Sequence, residues 1–301
     1  MDYNTVIEKT DFYRKIQVWP LNNVLNYKGW LDNFSSLKDK EIASHILDFF
    51  MFYPKSMINQ MLKTVIRQCR DYLLSRFPNW QLNDFETKCI YSFIPGETGS
   101  PTDSGHIYVR KLKYELHIPE NRIVYYNDLF PLLESSDDTI TVIFVDDFVG
   151  SGAQCNKAWN ENRGGVKNNT LSEIAIYSNH NFIYAPLVAN HIGFDHINKN
   201  CIGLKLICCY ILNNEYNLFD PSCICWNKNN ELYLNGIQLI YNKSKELGIP
   251  FTEGKEVVDA KGFAEQGLAL AFDDDGVPDA IPAIFYWCDN WTPLIRKRYT
   301  R

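Results

Sequence analysis

Residues 141–154 read TVIFVDDFVGSGAQ. The mostly β-branched run at 141–145 has the length and composition of a strand buried on both faces, and Gly150-Ser151-Gly152-Ala153 permits a close turn into a following helix. Backbone N–H groups and the positive end of that helix then face an anion. Asp146 and Asp147 stand just before the turn, where a carboxylate would repel a phosphate. A ligand presenting hydroxyls and a phosphate a few ångströms apart resolves the conflict, and a 5-phosphorylated ribose is such a ligand. Asp146 and Asp147 would accept from its 2- and 3-hydroxyls, or reach a hydrated Mg²⁺ through water or those hydroxyls. Gly150, Ser151, Gly152, Ala153 and Gln154 would hold the 5-phosphate.

Taken generically, a buried strand ending in Asp-Asp before a glycine turn is a ligand site at the carboxyl end of an α/β sheet. The bland reading is a strand-turn-helix corner with surface aspartates. Other phosphate motifs fail: no GxxxxGK[ST] occurs, and Gly150-Ser151-Gly152 lacks the third glycine of GxGxxG.

The chain of 301 residues is 46% hydrophobic and 14% aromatic, enough for one large or two modest folded domains. Its 30 Lys+Arg against 36 Asp+Glu leave a net charge of −6, which gives no overall footprint for nucleic acid. The start, MDYNTVIEKTDFYRKIQVWP, has no basic-then-apolar export pattern, and no apolar run approaches a membrane span. Nine cysteines cannot all pair within one chain, so reduced thiols in a cytoplasmic protein are expected. Cys208-Cys209 and Cys223-Ile224-Cys225 lack the spacing of a zinc site, and His191 and His196 lack a metal partner.

Three regions follow from periodicity: a helical cap at 1–85, an α/β core at 86–215 and an aromatic extension at 216–301. In the first, Ile42, Ile46, Phe49, Phe50 and Tyr53 share a helical face, Ser36 with Asp39 caps its start, and Pro54 ends it. Ile58, Met61, Leu62, Val65, Ile66, Cys69, Tyr72 and Leu73 form a second stripe that Pro78 stops. Strands are expected at 87–94, 122–126, 182–188 and 204–212, with helices at 106–117 and 154–162. Alternation of these elements argues for parallel strands. The last region carries a helix at 236–247 ended by Gly248 and Pro250, a solvated Asp273-Asp274-Asp275-Gly276 turn and a folded aromatic tail.

The order of residues in 141–154 resembles the phosphoribosyl-pyrophosphate motif of type I phosphoribosyltransferases: two acidic residues, two apolar ones, then a Thr-Thr-Gly-Ala-Thr-like loop. Gly150, Ser151 and Gln154 stand here where threonines are common, so one expected hydroxyl is lost at Gln154. The resemblance covers 87–215. It implies the family's mainly parallel α/β sheet, Mg²⁺ as cofactor, and Asp146 and Asp147 as the catalytic pair. It also implies a pyrophosphate loop at 95–105, served by Ser104, Gly105, Arg110 and Lys111, with Glu97 or Asp103 as positional guesses for a base. Trp30, Phe34, the VDDFVGSG variant, PDAIPAIFYW and NWTPL look like the branch associated with prokaryotic conflict and antiviral defence, over nearly the whole chain.

That resemblance implies transfer chemistry: an acceptor nitrogen attacks the anomeric carbon of Mg²⁺-bound phosphoribosyl pyrophosphate, and pyrophosphate leaves through an oxocarbenium-like transition state. Two alternatives keep the ribose grip. One is a catalytically inactive sensor of a nucleotide or phosphoribosyl pyrophosphate; the other is an effector that cleaves or modifies a nucleotide. Expected partners are that small molecule and operon-encoded proteins, with self-association open and no membrane.

Overall fold

The computed structural model describes residues 2–21, 23–96, 104–162, 170–252, 257, 259–273 and 277–296. In chain order its elements are α1 (Tyr3–Lys15), α2 (Tyr27–Asp32), α3 (Leu37–Phe49), β1 (Met51–Tyr53), α4 (Lys55–Arg76), α5 (Leu82–Lys88) and β2 (Cys89–Ser92). There follow α6 (Ser104–Leu116), α7 (Leu129–Ser135), β3 (Thr141–Val149), α8 (Ala153–Asn160), α9 (Leu171–Tyr177) and β4 (Asn181–Asn190). Then come α10 (His191–Asn200), β5 (Leu204–Leu206), β6 (Tyr210–Leu212), α11 (Asn230–Glu246) and β7 (Leu270–Phe272). Two compact units emerge, one joining Met1–Met57 to Leu212–Arg301 and the other spanning Ile58–Ile211. The boundaries expected from periodicity lie at 85/86 and 215/216.

The second unit is a mixed α/β layer structure. Its sheet runs in the order β2-β3-β4-β5, with β6 also paired to β4. The ladders β2–β3, β3–β4 and β4–β5 are all parallel. β3 is central and its first six residues are buried, as a strand covered on both faces must be. On one face Val142, Phe144, Phe182, Tyr184, Leu204 and Leu206 pack with Trp159 of α8, Ile174 of α9 and Ile197 of α10. Trp159 meets Phe182 edge-on at 5.2 Å and donates Nε1–H to Ile202 O at 3.2 Å, so its polar atom is satisfied where it is buried. α6 packs on β3.

The first unit has its own aromatic core. Trp30 is fully buried, stacks on Phe285 at 5.6 Å and meets Phe34 edge-on at 5.1 Å. The indole N–H groups of Trp30 and Trp291 converge on Ile284 O at 3.1 and 2.9 Å. Residues 30–34 and 284–291, expected as separate cap and tail, are therefore one core. β1 and β7 pair in parallel, Met51↔Leu270 through Tyr53↔Phe272.

Local chemistry explains most helix starts. Ser36 Oγ accepts Asp39 N–H at 3.0 Å, as expected for α3. Thr170 and Glu173 form a reciprocal capping box on α9, and Asn190 accepts Ile192 N–H at 3.0 Å to open α10. The α4 stripe buries Ile58, Leu62, Val65, Ile66, Cys69 and Leu73, and the helix stops two residues before Pro78.

Several boundaries differ from the sequence expectation. The helix through Tyr53 ends at Phe49, because Met51–Tyr53 finds a ladder partner more than two hundred residues away in β7. Thr87 and Lys88 finish α5, held by a capping box at Gln81 and Asp84, so β2 begins only at Cys89. The segment 122–126 is no strand: it makes one bridge, Ile123 to Tyr91, between short 3₁₀ turns. Arg122 instead caps the carbonyls of Cys89 and Phe85, the latter at 3.0 Å. The run 204–212 splits into β5 and β6, and α11 begins at Asn230 rather than Gly236.

All nine cysteines are free thiols. Burial pushes Cys208 and Cys209 up to about 11 and Cys223 up to about 12, so these are inert packing groups. Among the described residues, no helix is long and apolar enough to cross a membrane.

Candidate functional site

β3 outruns one of its neighbours. The β2–β3 ladder ends at Ser92↔Phe144, whereas β3 continues against β4 through Asp146↔Pro186, Phe148↔Val188 and Val149↔Ala189. Asp146 and Asp147 thus stand at the carboxyl end of the central strand, beyond the last paired residue of β2. Parallel sheets open their ligand crevices at that end.

The two carboxylates are held differently. Asp146 is only 4% exposed. Tyr184 Oη–H donates to its Oδ2 at 2.8 Å, and Ser104 Oγ–H and Asp147 N–H donate to its Oδ1, each at 3.0 Å. Asp147 is half-buried and makes no ion pair among the described residues. Burial raises both carboxyls above their usual range; for Asp147 the rise is large, because the Asp146 charge adds to burial. Burial followed by the neighbouring carboxylate likewise raises the Tyr184 phenol, which keeps it a donor.

The glycine turn is built by close backbone approach. Gly152 is the N-cap of α8 at φ +77°, a left-handed conformation that glycine adopts without strain. A Cβ there would lie 2.9 Å from Gly193 O, and one on Gly193 would lie 2.2 Å from Gly150 O. α10 therefore presses its backbone directly on the turn and fixes its path. Ser151 Oγ accepts Ala153 N–H at 3.3 Å, which keeps the hydroxyl at the first turn of α8 with its proton available to a ligand.

Gln154, which replaces an expected hydroxyl, points elsewhere. Its Nε2 donates to Pro95 O at 3.1 Å and Ile94 O at 3.4 Å, tying the first turn of α8 to the exit of β2. The pyrophosphate-loop residues also take separate places. Ser104 opens α6 and meets Asp146. Gly105 lies against Phe93, where a Cβ would come within 2.6 Å of the Phe93 Cβ. Arg110 is exposed, its guanidinium 5.6 Å from the Tyr114 ring centre. Lys111 is buried and donates to Asn59 Oδ1 at 3.0 Å. Residues 97–103, including Glu97 and Asp103, lie outside the described residues, as do Asp274, Asp275 and Gly276.

The acidic pair suits a hard cation. Two adjacent carboxylates that repel each other, one buried and one half-buried, are relieved by a divalent ion, and Mg²⁺ characteristically uses one or two protein carboxylates with the rest from water and substrate oxygens. Among the described residues no cluster of three or more His, Cys, Asp or Glu exists, so a preformed all-protein cage is not what these residues build.

Tyr184 and Gly193 belong to the corner without being marked by its local motif. Tyr184 sat unremarked inside a β-rich run, and only register brings it to Asp146. Gly193 carried a usable signal: a glycine inside a helical segment costs about 1 kcal/mol relative to alanine, which implies a close approach.

Comparison with curated proteins finds no sequence match. A buried parallel strand, an acidic pair at its carboxyl end and a glycine turn into a helix thus stand together at this corner. Residues 27–297 match PRTase-CE, and the chain belongs to that phosphoribosyltransferase-like family.

Proposed function

We propose that the β3–α8 corner binds the ribose 5-phosphate part of phosphoribosyl pyrophosphate or of a nucleotide, and that the protein carries out Mg²⁺-dependent phosphoribosyl transfer. The observation that carries this reading is the asymmetry of the acidic pair. Asp146 accepts from Tyr184, Ser104 and the Asp147 amide and is only 4% exposed, while Asp147 is half-buried and so the more accessible of the two. Asp147 is then the group that accepts from a ribose hydroxyl, and Asp146 orients it and adds negative charge where an oxocarbenium ion develops. Ser151 and the amides at the start of α8 take the phosphate. Mg²⁺, when bound, neutralises charge on the departing pyrophosphate.

The engagement of Gln154 with the Ile94 and Pro95 carbonyls favours a second reading, in which the protein senses rather than transfers. It removes a phosphate ligand and stitches the exit of β2 to α8. A place in cytoplasmic antiviral defence, with operon-encoded partners, is supported by the likeness of Trp30, Phe34, VDDFVGSG and the aromatic tail to the conflict-associated branch.

Incubation with phosphoribosyl pyrophosphate, Mg²⁺ and a panel of nucleobases, read as pyrophosphate release, tests the proposal. Base-dependent release is expected. Saturable binding without release would overturn transfer in favour of sensing, and loss of an added nucleotide would favour the nucleotide-cleaving effector.

A further inference from the structure

We propose that the second unit carries another small-ligand site, for a phosphorylated metabolite, at the amino ends of β4 and β5. It does not rest on the ribose-phosphate reading. A cleft of about 470 Å³ opens there, lined by Tyr72 and Arg76 of α4, Ser178 and Asn179 after α9, Asn181 of β4 and Lys205 of β5. That size falls within the roughly 300–1,000 Å³ typical of small-molecule sites. Thr141 pairs with Asn181, so Asp146 lies five residues further along β3, roughly 16 Å at strand rise. The cleft and the acidic pair occupy opposite ends of one sheet.

Charge identifies the ligand. No aspartate or glutamate lines the cleft, although acidic residues outnumber basic ones in the chain. Arg76 and Lys205 are exposed, and neither forms an ion pair among the described residues, unlike Lys9, Lys88, Lys113, Lys243 and Lys261. Both converge on Tyr72: the Lys205 ammonium sits 5.7 Å from its ring centre, and Arg76 Nη1 lies 3.4 Å from its hydroxyl. Arg76 alone is explained by its position in the last turn of α4, where a cation meets the negative helix end. Lys205 lies on β5, an edge strand where a lysine also deters pairing with another chain, and its ammonium is placed at Tyr72 on the cleft.

Two cations beside Tyr72, Lys205 at its ring and Arg76 at its hydroxyl with the guanidinium 5.8 Å from the Phe77 ring centre, together with neutral amides and a hydroxyl form an anion site with hydrogen-bonding walls. Arg76 supplies planar paired donors to phosphate oxygens and Lys205 a point charge. Asn179, exposed at the rim, can read a sugar hydroxyl or a base edge. His180 is not available to a ligand. Its Nδ1 accepts Ile140 N–H at 3.1 Å and its Nε2 contacts Leu133 O at 2.9 Å, which makes Nε2 the protonated nitrogen and the ring a structural clamp.

A fluorotyrosine placed at position 72 reports on the cleft alone, with AMP and inorganic pyrophosphate as probes in the full chain. The expected result is a saturable ¹⁹F shift. Arg76→Gln with Lys205→Gln should weaken it about tenfold or more while the melting temperature stays unchanged, and Asp147→Asn should leave it intact. If the double variant does not fold, Arg76→Gln alone is read the same way. No shift with either probe, equal affinity in the charge-neutral variant, or loss of the shift in Asp147→Asn would each overturn the proposal. Pyrophosphate release from phosphoribosyl pyrophosphate, measured alongside, reports separately on the β3–α8 site.

Discussion

The Tyr184 hydroxyl donates to Asp146 Oδ2 at 2.8 Å across the β3–β4 ladder. Tyr184 stands opposite Phe144 and Pro186 opposite Asp146, so tyrosine and carboxylate are diagonal neighbours on one face. Tyr184→Phe keeps the ring and removes the donor from a buried carboxylate. The loss should cost about 1–3 kcal/mol, read as a lower midpoint in urea unfolding. An unchanged midpoint would show that Asp146 is satisfied without the phenol.

Stability should fall as pH rises. Burial and the Asp146 charge raise Asp147 well above its usual 3.8, so the folded state holds a proton that the unfolded state releases. Between the ordinary carboxylate range and the raised folded value, the folded state binds more protons, and unfolding free energy decreases with pH. Below that window the contribution is complete. Asp147→Asn should flatten this slope and melt higher than the natural chain above the window, and Mg²⁺ should raise the melting temperature of the natural chain more than that of the variant. Thermal melts across pH, with and without Mg²⁺, check all three.

Removing both charges tests the ligand grip. Asp146→Asn with Asp147→Asn should abolish binding of ribose 5-phosphate in calorimetry and leave the far-ultraviolet circular dichroism unchanged. Undiminished affinity would refute the site.

Gly193→Ala alters the turn from outside it, through the backbone contact of α10. Its methyl would sit 2.2 Å from Gly150 O, so the 150–152 backbone must move. Alanine otherwise favours the helix by about 1 kcal/mol, and this opposition makes the variant informative. Phosphate-ester affinity should drop about tenfold or more, because amides aimed at an anion lose their alignment. Unaltered affinity would mean that α10 does not set the cradle.

Ile143→Asp probes the strand itself. Ile143 is fully buried between β2 and β4, and a carboxylate there is unpaired. Loss of about 3 kcal/mol or more, or failure to accumulate soluble protein, is expected. A soluble variant with native melting would contradict the central position of β3.

Much was legible along the chain because it is local. The stripe of Ile58, Leu62, Val65 and Leu73 announces α4, Ser36 marks the start of α3, and 141–154 spells strand, acidic pair and turn in order. What failed depended on distant partners. Met51–Tyr53 continues a helical pattern and becomes a strand because Leu270–Phe272 completes its ladder. The 122–126 run has strand composition but only one bridge, because 3₁₀ turns at Glu120–Arg122 and Tyr126–Asp128 take up the backbone on either side of it. Tail and cap read as separate segments, yet Trp30, Phe285 and Trp291 are one core.

The sequence by itself determined that a buried strand delivers two carboxylates to a glycine turn, since strand burial, turn geometry and helix entry are written within fourteen consecutive residues. Only the tertiary structure decided how those carboxylates divide their work. Tyr184 from β4 and Ser104 from α6 hold Asp146 and leave Asp147 half-buried beside it, and Gly193 from α10 sets the turn's path. Hydrogen bonds and backbone contacts between residues tens of positions apart depend on register and packing, which no local pattern encodes.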